Sequence, residues 1–368
     1  MIFDHGPAGA GTEFSHPVSI IRADTPDQVD AAFDAMQQAQ ADEKWLAGYV
    51  SYEYGYLTSP KLEHLIPTNR ELPLIQFGVF DGPRPSADVP ISPKLGLTPL
   101  DPQWTADQYA DAFDVVHDYI GAGDIYQVNL TFPLTSSATL PADAVYAGLR
   151  TIQPVPHGAF VDFGETILLS RSPELFFSLS SSGELATRPM KGTAPRGATQ
   201  EQDDALRDAL QASVKNRAEN LMIVDLLRND MSRVSEIGSV KVPELFAVER
   251  FATLHQMTST ITSQIIKGTT LKSLFAALFP CGSITGAPKI RAMEIIRELE
   301  PYPREAYCGS IGWIAPDGAM EFNVAIRTLL YWPDRSIQVN VGGGVVYDST
   351  AQDEYEEALL KARFADLD

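Results

Sequence analysis

The chain has 368 residues, of which 44% are hydrophobic and 21% are charged, values typical of a globular protein with one large domain or two ordinary ones. Its net charge of −20 argues against nucleic-acid binding, which needs a basic surface to replace the counterions around phosphates. No apolar run approaches the ~20 residues that a membrane helix requires, so we expect no membrane association.

The N-terminus and the cysteines indicate a cellular location. The first five residues lack the basic start and the apolar stretch of a signal peptide. Cys281 and Cys308 are too few for a disulfide framework or a zinc cluster. We therefore expect two buried free thiols in a cytoplasmic protein.

A proline-rich stretch at 83–102 is the clearest change in composition along the chain. Such spacing suits an extended connector and excludes a central strand. It divides the sequence into an N-terminal part at 1–95, packed on the core, and a larger domain at 96–368 that carries the chemistry.

The elements that follow the connector alternate between helix and strand. Thr105 can cap a helix that ends at Gly121 and Gly123, with its apolar residues on one face. Residues 125–134 then alternate, which predicts a strand with one buried face and one polar face. Further strands are predicted at 158–163, 166–171, 174–180, 185–190 and 336–346.

The second half of the chain adds helices and one hairpin. A helical block is predicted at about 199–231, a helix with Pro288 in its first turn, and a last helix from about Thr350. Asp317-Gly318 predicts a hairpin between strands at 307–315 and 319–331. Antiparallel strands in groups, with helices between them, favour an α+β fold over a doubly wound sheet.

Lys191 is the first candidate for chemistry. It lies at a predicted strand end, in Arg188-Pro189-Met190-Lys191-Gly192-Thr193, where glycine lets the backbone approach a ligand. A lysine becomes a nucleophile when its surroundings depress its pKa. The sequence around it is equally compatible with a solvated lysine in a basic turn.

Acidic residues on two predicted helices form the second candidate. Glu219 shares an apolar stripe with Met222 and Leu226, which is costly for a carboxylate unless it is paired or binds a metal. Glu354 and Glu357 share one face of the last helix with Lys361 and could join Glu219 around Mg²⁺. The alternatives are a structural ion pair for Glu219 and a surface ion pair between Glu357 and Lys361.

Two further features could bind an anion. Residues 281–289 place small hydroxyl residues and glycines before a helix N-terminus, without the Gly-Lys-Ser/Thr of a nucleotide-binding loop. A plain capped helix explains them as well. Arg327, with Asn323, lies opposite the apolar face of its predicted strand and could grip a carboxylate, or be merely exposed.

Together these segments resemble the chorismate-utilising enzymes. The resemblance covers about 105–368 and rests on the following motifs: GDIYQVNLT (123–131), SPELF (172–176), RPMKGT (188–193), ENLMIVDLLRND (219–230), VPELFAVE (242–249), GSITGAPKIRAMEIIRELEP (282–301), YCGSIGW (307–313), AIRT (325–328) and GGGVVYDS (342–349). It implies a large α+β sandwich of two stacked antiparallel sheets flanked by helices, with 96–368 as the chorismate-binding domain.

The resemblance also implies a reaction. Members that make aminodeoxychorismate carry lysine in the PIKGT-type motif, where anthranilate synthases carry alanine; here that residue is Lys191, preceded by Met190. The lysine would attack C2 of the chorismate ring as the 4-hydroxyl leaves, and ammonia would then add at C4. Glu174 of SPELF matches the acid that protonates the leaving hydroxyl.

The remaining site residues follow from the same resemblance. Glu219 and Glu357 match Mg²⁺ ligands, with Glu354 as a helper. Residues expected to line the substrate pocket are Gly192, Thr193, Ser283, Thr285, Gly286, Tyr307, Arg327, Gly342, Gly343 and Gly344. His255-Gln256 departs from relatives that have histidine at the second position, which leaves any role of a histidine open.

The resemblance implies a partner and leaves several functions to compare. A separate glutamine amidotransferase subunit would supply ammonia, because nothing in the chain resembles a glutamine-hydrolysing domain. The hypothesis is an aminodeoxychorismate synthase of para-aminobenzoate and folate synthesis. The alternatives are an anthranilate synthase, an isochorismate or salicylate synthase, whose relatives also keep a lysine here, and a Mg²⁺-dependent anion-binding regulatory protein without turnover.

Overall fold

The computed structural model describes residues 1–7, 9–86, 94–251 and 254–365. In chain order its strands are β1 (Ile2–Gly6), β2 (Gly9–Glu13), β3 (Ser19–Ala23), β4 (Trp45–Val50), β5 (Ile75–Phe80), β6 (Arg84–Pro85), β7 (Asp101–Pro102), β8 (Gln127–Ser137), β9 (His157–Val161), β10 (Ile167–Ser172), β11 (Leu175–Leu179), β12 (Glu184–Arg188), β13 (Met190–Pro195), β14 (Lys241–Arg250), β15 (Leu254–Gln264), β16 (Gly286–Ala287), β17 (Ser310–Ile314), β18 (Met320–Asn323), β19 (Thr328–Tyr331) and β20 (Ser336–Val345). Its α-helices are α1 (Val29–Ala41), α2 (Ala106–Ala122), α3 (Ala142–Ile152), α4 (Gln200–Ala212), α5 (Val214–Ser232), α6 (Leu271–Leu278), α7 (Lys289–Leu299) and α8 (Ala351–Ala362).

Within the described residues the strands form two antiparallel sheets of ten strands each. The first has the order β16-β8-β20-β19-β10-β9-β1-β2-β6, with β7 also paired to β8. The second has the order β13-β15-β12-β11-β18-β17-β4-β5-β3, with β14 also paired to β15. The first 85 residues thus contribute strands to both sheets. The predicted α+β architecture of two antiparallel sheets with helices is confirmed.

The core lies between the sheets and beneath the helices. One large cluster of buried apolar residues draws on both sheets, and a second joins Phe3 and Leu168 of the first sheet to Tyr49 and Ile311 of the other. Phe322 of β18 stacks on a neighbouring strand's Phe177, with ring centroids 5.2 Å apart. Alternation along each strand places these apolar side chains inward, so that their burial holds the two layers together.

Helix α8 is fixed against the first sheet by aromatic contacts. Tyr355 stacks on Phe132 of β8, with ring centroids 5.4 Å apart, and its hydroxyl donates to the Trp104 carbonyl at 3.0 Å. Thr350 caps the helix by accepting from the Asp353 N–H. The acidic face of α8 therefore has a defined position over β20.

Several predicted elements are confirmed. Thr105 caps α2 by accepting from the Gln108 N–H at 3.2 Å, and Gly123 ends that helix in the left-handed region. The hairpin at Asp317-Gly318 joins β17 and β18. Cys281 and Cys308 are free and buried. None of the described helices has the length and apolar character needed to cross a bilayer.

Other predictions need correction. The helical block at 199–231 is two helices, because Ser213 leaves the helical conformation and caps α5. Pro288 is the residue before α7 rather than in its first turn. The connector at 83–102 includes the short edge strands β6 and β7, and its residues 87–93 lie outside the described part of the chain.

Two strand predictions were wrong in a way that concerns the site. The polar face of β8 is not exposed: Gln127, Asn129 and Thr131 are all buried. The predicted strand at 319–331 is broken between β18 and β19, which belong to different sheets. Arg327 therefore lies in the crossing between sheets, with φ 50°, and not on the face of a strand. In both places the strand pattern alone did not show that these polar residues face the interior.

Candidate active site

A cavity of about 640 Å³ brings most of the predicted site residues together. This is the size of a pocket for a small molecule. Its walls come from β8 and β20 of one sheet, from β13 and β15 of the other, and from α5 and α8. The predicted residues in the lining are Glu174, Lys191, Gly192, Thr193, Glu219, Ser283, Tyr307, Arg327, Gly342, Gly344, Glu354 and Glu357.

Lys191 occupies an irregularity in β13. Met190 lies opposite Thr258 and Thr193 lies opposite Gln256, with a shift of register between them. The side chain keeps some surface open to the cavity, but the cavity walls shield it from bulk water. This burial, with the neighbouring Lys361 ammonium, lowers the pKa of the Lys191 amine against the opposing pull of nearby carboxylates. An amine so placed is more readily neutral, as a nucleophile must be.

Glu174 supplies a buried carboxyl to the same cavity. It is 5% exposed, and its Oε1 accepts the Ser283 hydroxyl at 2.8 Å. Burial raises the pKa of Glu174 to about 7, although the hydrogen bond from Ser283 and the charge of Lys191 oppose the rise. A carboxyl with a pKa near neutrality can donate a proton to a leaving group.

Arg327 places a cation in the cavity without an anion to neutralise it. Its side chain has no hydrogen bond or ion pair with any residue that the structure describes. Burial lowers the pKa of the guanidinium, and Glu174 partly offsets this effect. Its left-handed backbone is costly for a residue with a side chain, and such strain concentrates at functional sites. A planar guanidinium of this kind suits a ligand carboxylate.

The glycine run in β20 makes room for functional side chains. A Cβ on Gly344 would lie 2.6 Å from Gln127 Nε2 and 3.1 Å from Lys191 Nζ. A Cβ on Gly343 would lie 2.7 Å from a carboxylate oxygen of Glu354. Side chains at these two positions would therefore displace the groups around Lys191 and on α8.

Gln127 is a residue that the sequence analysis missed. Its side chain is 1% exposed, and among the described residues neither its amide oxygen nor its amide nitrogen finds a hydrogen-bond partner. Buried amides are almost always paired, so this amide, which lies with the Lys191 amine against Gly344, is an exception. The polar alternation at 127, 129 and 131 was the available signal, and it was interpreted as a polar face opposite the buried one.

Three acidic residues line one side of the cavity. Glu219 comes from α5, and Glu354 and Glu357 come from α8. Burial raises the pKa of Glu354, against the Ser349 hydroxyl that donates to it at 2.6 Å. Burial acts in the same direction on Glu357, but the Lys361 ammonium at 2.8 Å outweighs it and lowers the pKa of that carboxyl.

These carboxylates have the donor chemistry that Mg²⁺ prefers. In the described part of the chain, no three acidic, histidine or cysteine side chains lie close enough together to hold a metal by themselves. Mg²⁺ does not require such a cage, since it is commonly bound by one or two carboxylates together with water and ligand oxygens. Lys361 donates to the Gly342 carbonyl at 3.0 Å and pairs with Glu357, whereas Glu219 and Glu354 have no ion pair with any described residue. The donor set therefore fits Mg²⁺.

The loop before α7 contributes less than predicted. Ser283 lines the cavity, whereas Thr285 is fully buried and donates to the Cys281 carbonyl at 3.0 Å. Gly286 pairs with Val128 in the first sheet. Thr285, Gly286 and Gly343 thus lie behind the lining. The lining itself also includes Asn129, Lys215, Asn216, Gln256, Asn340 and Lys361.

The open question about a histidine receives a structural answer. His255 is fully buried, and its Nε2 lies 2.8 Å from Asp203 Oδ1, at the far end of β13 from Lys191. Gln256, the next residue, lines the cavity. Because neighbouring strand residues point to opposite faces, only one of the pair can reach the site. That residue is the glutamine.

The two-sheet sandwich and a cavity that holds Lys191, Glu174 and the acidic face of α8 are the features of a chorismate binding protein. Residues 85–366 match the family of chorismate binding enzymes, and the chain belongs to that family.

Two sequence relatives and one solved structure are informative. The chain is 35% identical over 357 residues to aminodeoxychorismate synthase component 1 of Bacillus subtilis, covering 94% of this chain and 71% of that protein. It is 46% identical over 255 residues to the Klebsiella aerogenes protein of the same name, covering 69% of this chain and 56% of that one. Its fold matches anthranilate synthase component I from Streptococcus pneumoniae with a TM-score of 0.83 and 27% identity, covering 96% and 91% of the two chains. The match spans only about half of the Klebsiella protein.

Proposed function

We propose that this chain converts chorismate and ammonia to 4-amino-4-deoxychorismate through a covalent intermediate on Lys191. The observation that carries the proposal is the shielded Lys191 amine, which shares a cavity with the buried acid Glu174. The similarity to the two aminodeoxychorismate synthase components supports the same choice of reaction.

The proposed reaction has two covalent steps. The neutral amine of Lys191 attacks C2 of the ring, the two conjugated ring double bonds each shift by one bond towards C4, and the C4–O bond breaks. Glu174 gives its proton to the departing hydroxyl, which leaves as water. Ammonia then forms a bond to C4 and loses a proton, which returns Glu174 to its protonated form. The two double bonds shift back, and the C2–N bond breaks to release the Lys191 amine. Dividing a difficult substitution into two steps is the usual benefit of a nucleophilic residue.

The other charged groups bind the substrate. The Arg327 guanidinium donates hydrogen bonds to one substrate carboxylate, and Tyr307 lines the same cavity. Glu219, Glu354 and Glu357 would hold Mg²⁺, and the bound ion would neutralise the second carboxylate. This arrangement allows a protein of net charge −20 to bind a dianion.

The proposal includes a partner and a location. We infer that a glutamine amidotransferase subunit supplies the ammonia, in keeping with the "component 1" in the names of the two relatives. The product would be used for para-aminobenzoate and folate synthesis. We also infer that the chain acts in the cytoplasm.

Product analysis tests the proposal. Purified protein is incubated with chorismate, Mg²⁺ and ammonium, and the products are separated by liquid chromatography. Aminodeoxychorismate is expected from the wild type and is expected to be lost in Lys191→Ala. Anthranilate, isochorismate or salicylate as the sole product would assign the chain to another branch. Binding of chorismate without any product, unchanged by Lys191→Ala, would indicate a regulatory protein.

A further inference from the structure

The regular pairing of β13 with β15 is interrupted at Lys191, whose side chain lines the cavity. Two of its residues, Lys191 and Gly192, occupy the space opposite the single residue Met257 of β15. This is a β-bulge, which bends a strand, re-aims a side chain and leaves backbone groups without ladder partners. Gly192 has φ 96°, and a Cβ there would lie 3.1 Å from Asn216, so the bulge is also pressed against α5.

The side chain of Gln256 hydrogen-bonds to one backbone group and one side chain of the bulge. Its Nε2 donates to the Gly192 carbonyl at 2.9 Å. Its Oε1 accepts the Thr193 hydroxyl at 3.1 Å. One amide thus holds both residues that follow Lys191, and it does so with its donor and its acceptor at once. Replacing either atom by an apolar group would release the carbonyl or the hydroxyl.

The rest of β13 is held by other groups, so Gln256 acts on the bulge alone. Arg196, which follows β13, contacts Asp203 at 2.7 Å. His255 of β15, which lies opposite Ala194, contacts the same carboxylate at 2.8 Å. The strand is therefore anchored beyond the bulge without the help of Gln256. What Gln256 adds is the conformation of the two residues next to the amine.

We propose that Gln256 is a positioning residue, which locks the bulge at Gly192–Thr193 and so fixes the direction of the Lys191 side chain. The proposal rests on the proposed chemistry of Lys191. It assigns Gln256 no contact with reacting atoms. A displacement of about 1 Å in a reacting group can cost ~100-fold in rate.

The test replaces Gln256 by methionine, which has a similar length and no amide. In Gln256→Met, kcat for aminodeoxychorismate formation is expected to fall about 100-fold, while the KM for chorismate stays close to wild type. Hydrogen exchange at residues 190–195 is expected to become faster, because the bulge has lost its partner. Thr193→Val removes only one of the two bonds and is expected to lower kcat about tenfold.

Gln264→Met is the matched control. Gln264 lies on the same strand and also donates its amide to a backbone carbonyl, that of Ser182, at 3.0 Å. It is remote from the cavity, so its variant is expected to keep the wild-type kcat and the wild-type exchange at 190–195. Thermal unfolding of both variants shows whether either change has disturbed the fold as a whole.

The outcomes separate this inference from the proposed function. A wild-type kcat in Gln256→Met, or a loss confined to KM, would overturn the positioning role. If the wild-type protein makes no aminodeoxychorismate, the proposed function fails, and the exchange comparison alone decides on the bulge. Faster exchange in Gln256→Met than in Gln264→Met then supports the inference, and equal exchange overturns it.

Discussion

Replacing Glu174 by glutamine should make the protein more stable at neutral pH and inactivate it. The carboxyl is 5% exposed, and burial raises its pKa from an ordinary 4.5 to about 7. A raised carboxyl pKa means that the folded state binds the proton more tightly than the unfolded state. Between about pH 4.5 and pH 7 the free energy of unfolding of the wild type therefore falls as pH rises.

The size of this effect follows from the two pKa values. Each pKa unit is worth 1.36 kcal/mol, so ionising Glu174 in the folded protein costs about 3 kcal/mol at pH 8. Glutamine keeps the shape and can still accept the Ser283 hydroxyl, but it carries no charge. The stability of Glu174→Gln relative to wild type should therefore increase by about 3 kcal/mol between pH 4.5 and pH 8.

Urea unfolding at a series of pH values measures this difference. Glu184→Gln, which removes an exposed carboxyl on β12, serves as the control for the loss of one carboxylate. Activity measured on the same samples should fall in Glu174→Gln at every pH, because the proton donor is gone. A stability difference that stays constant with pH, or an active variant, would refute the assignment of Glu174 as a buried acid.

Three other changes probe separate parts of the site. Gly344→Ala should lower kcat and cost about 1–3 kcal/mol of stability, because its methyl group meets Gln127 and Lys191. Gly121→Ala on α2 is the control, since a Cβ there meets nothing within 4 Å. It should increase the free energy of unfolding by about 0.5–1 kcal/mol, measured by heat or urea. Arg327→Lys should raise the KM for chorismate about tenfold or more in steady-state assays, since lysine cannot bind a carboxylate in bidentate fashion. Removing Mg²⁺ with EDTA should abolish activity until Mg²⁺ is restored. Calorimetry should show that Glu219→Gln binds Mg²⁺ more weakly than the wild type does. An unchanged Mg²⁺ affinity would exclude the Glu219 carboxylate as a ligand.

The sequence predicted the layers of the fold better than their connections. Periodicity, turn residues and caps located α2, α8 and the hairpin at Asp317-Gly318, because these are local effects. The break between β18 and β19 depends on which sheet each strand joins, and no pattern within 319–331 records that choice. The sharp turn at Arg327 therefore went unpredicted.

In the candidate site, too, the sequence located some residues and missed others. Glu219, Glu354 and Glu357 were placed on helix faces by spacing alone, and all three line the cavity. Gln127 and Gln256 were missed, because an amide has no distinctive pattern and its role depends on what the fold places beside it. Motif resemblance could include Thr285 and Gly286 in the pocket, but only the packing shows that they lie behind Ser283.

Mass spectrometry can detect the proposed covalent intermediate on Lys191. The protein is incubated with chorismate and Mg²⁺ in the absence of ammonia, quenched, digested and mapped. We predict an adduct with the mass of chorismate less water on Lys191, which disappears when ammonium is added. Lys191 is not the nucleophile if the protein converts chorismate with ammonium present but forms no adduct without it. An adduct on another residue that persists in Lys191→Ala would exclude Lys191 as well.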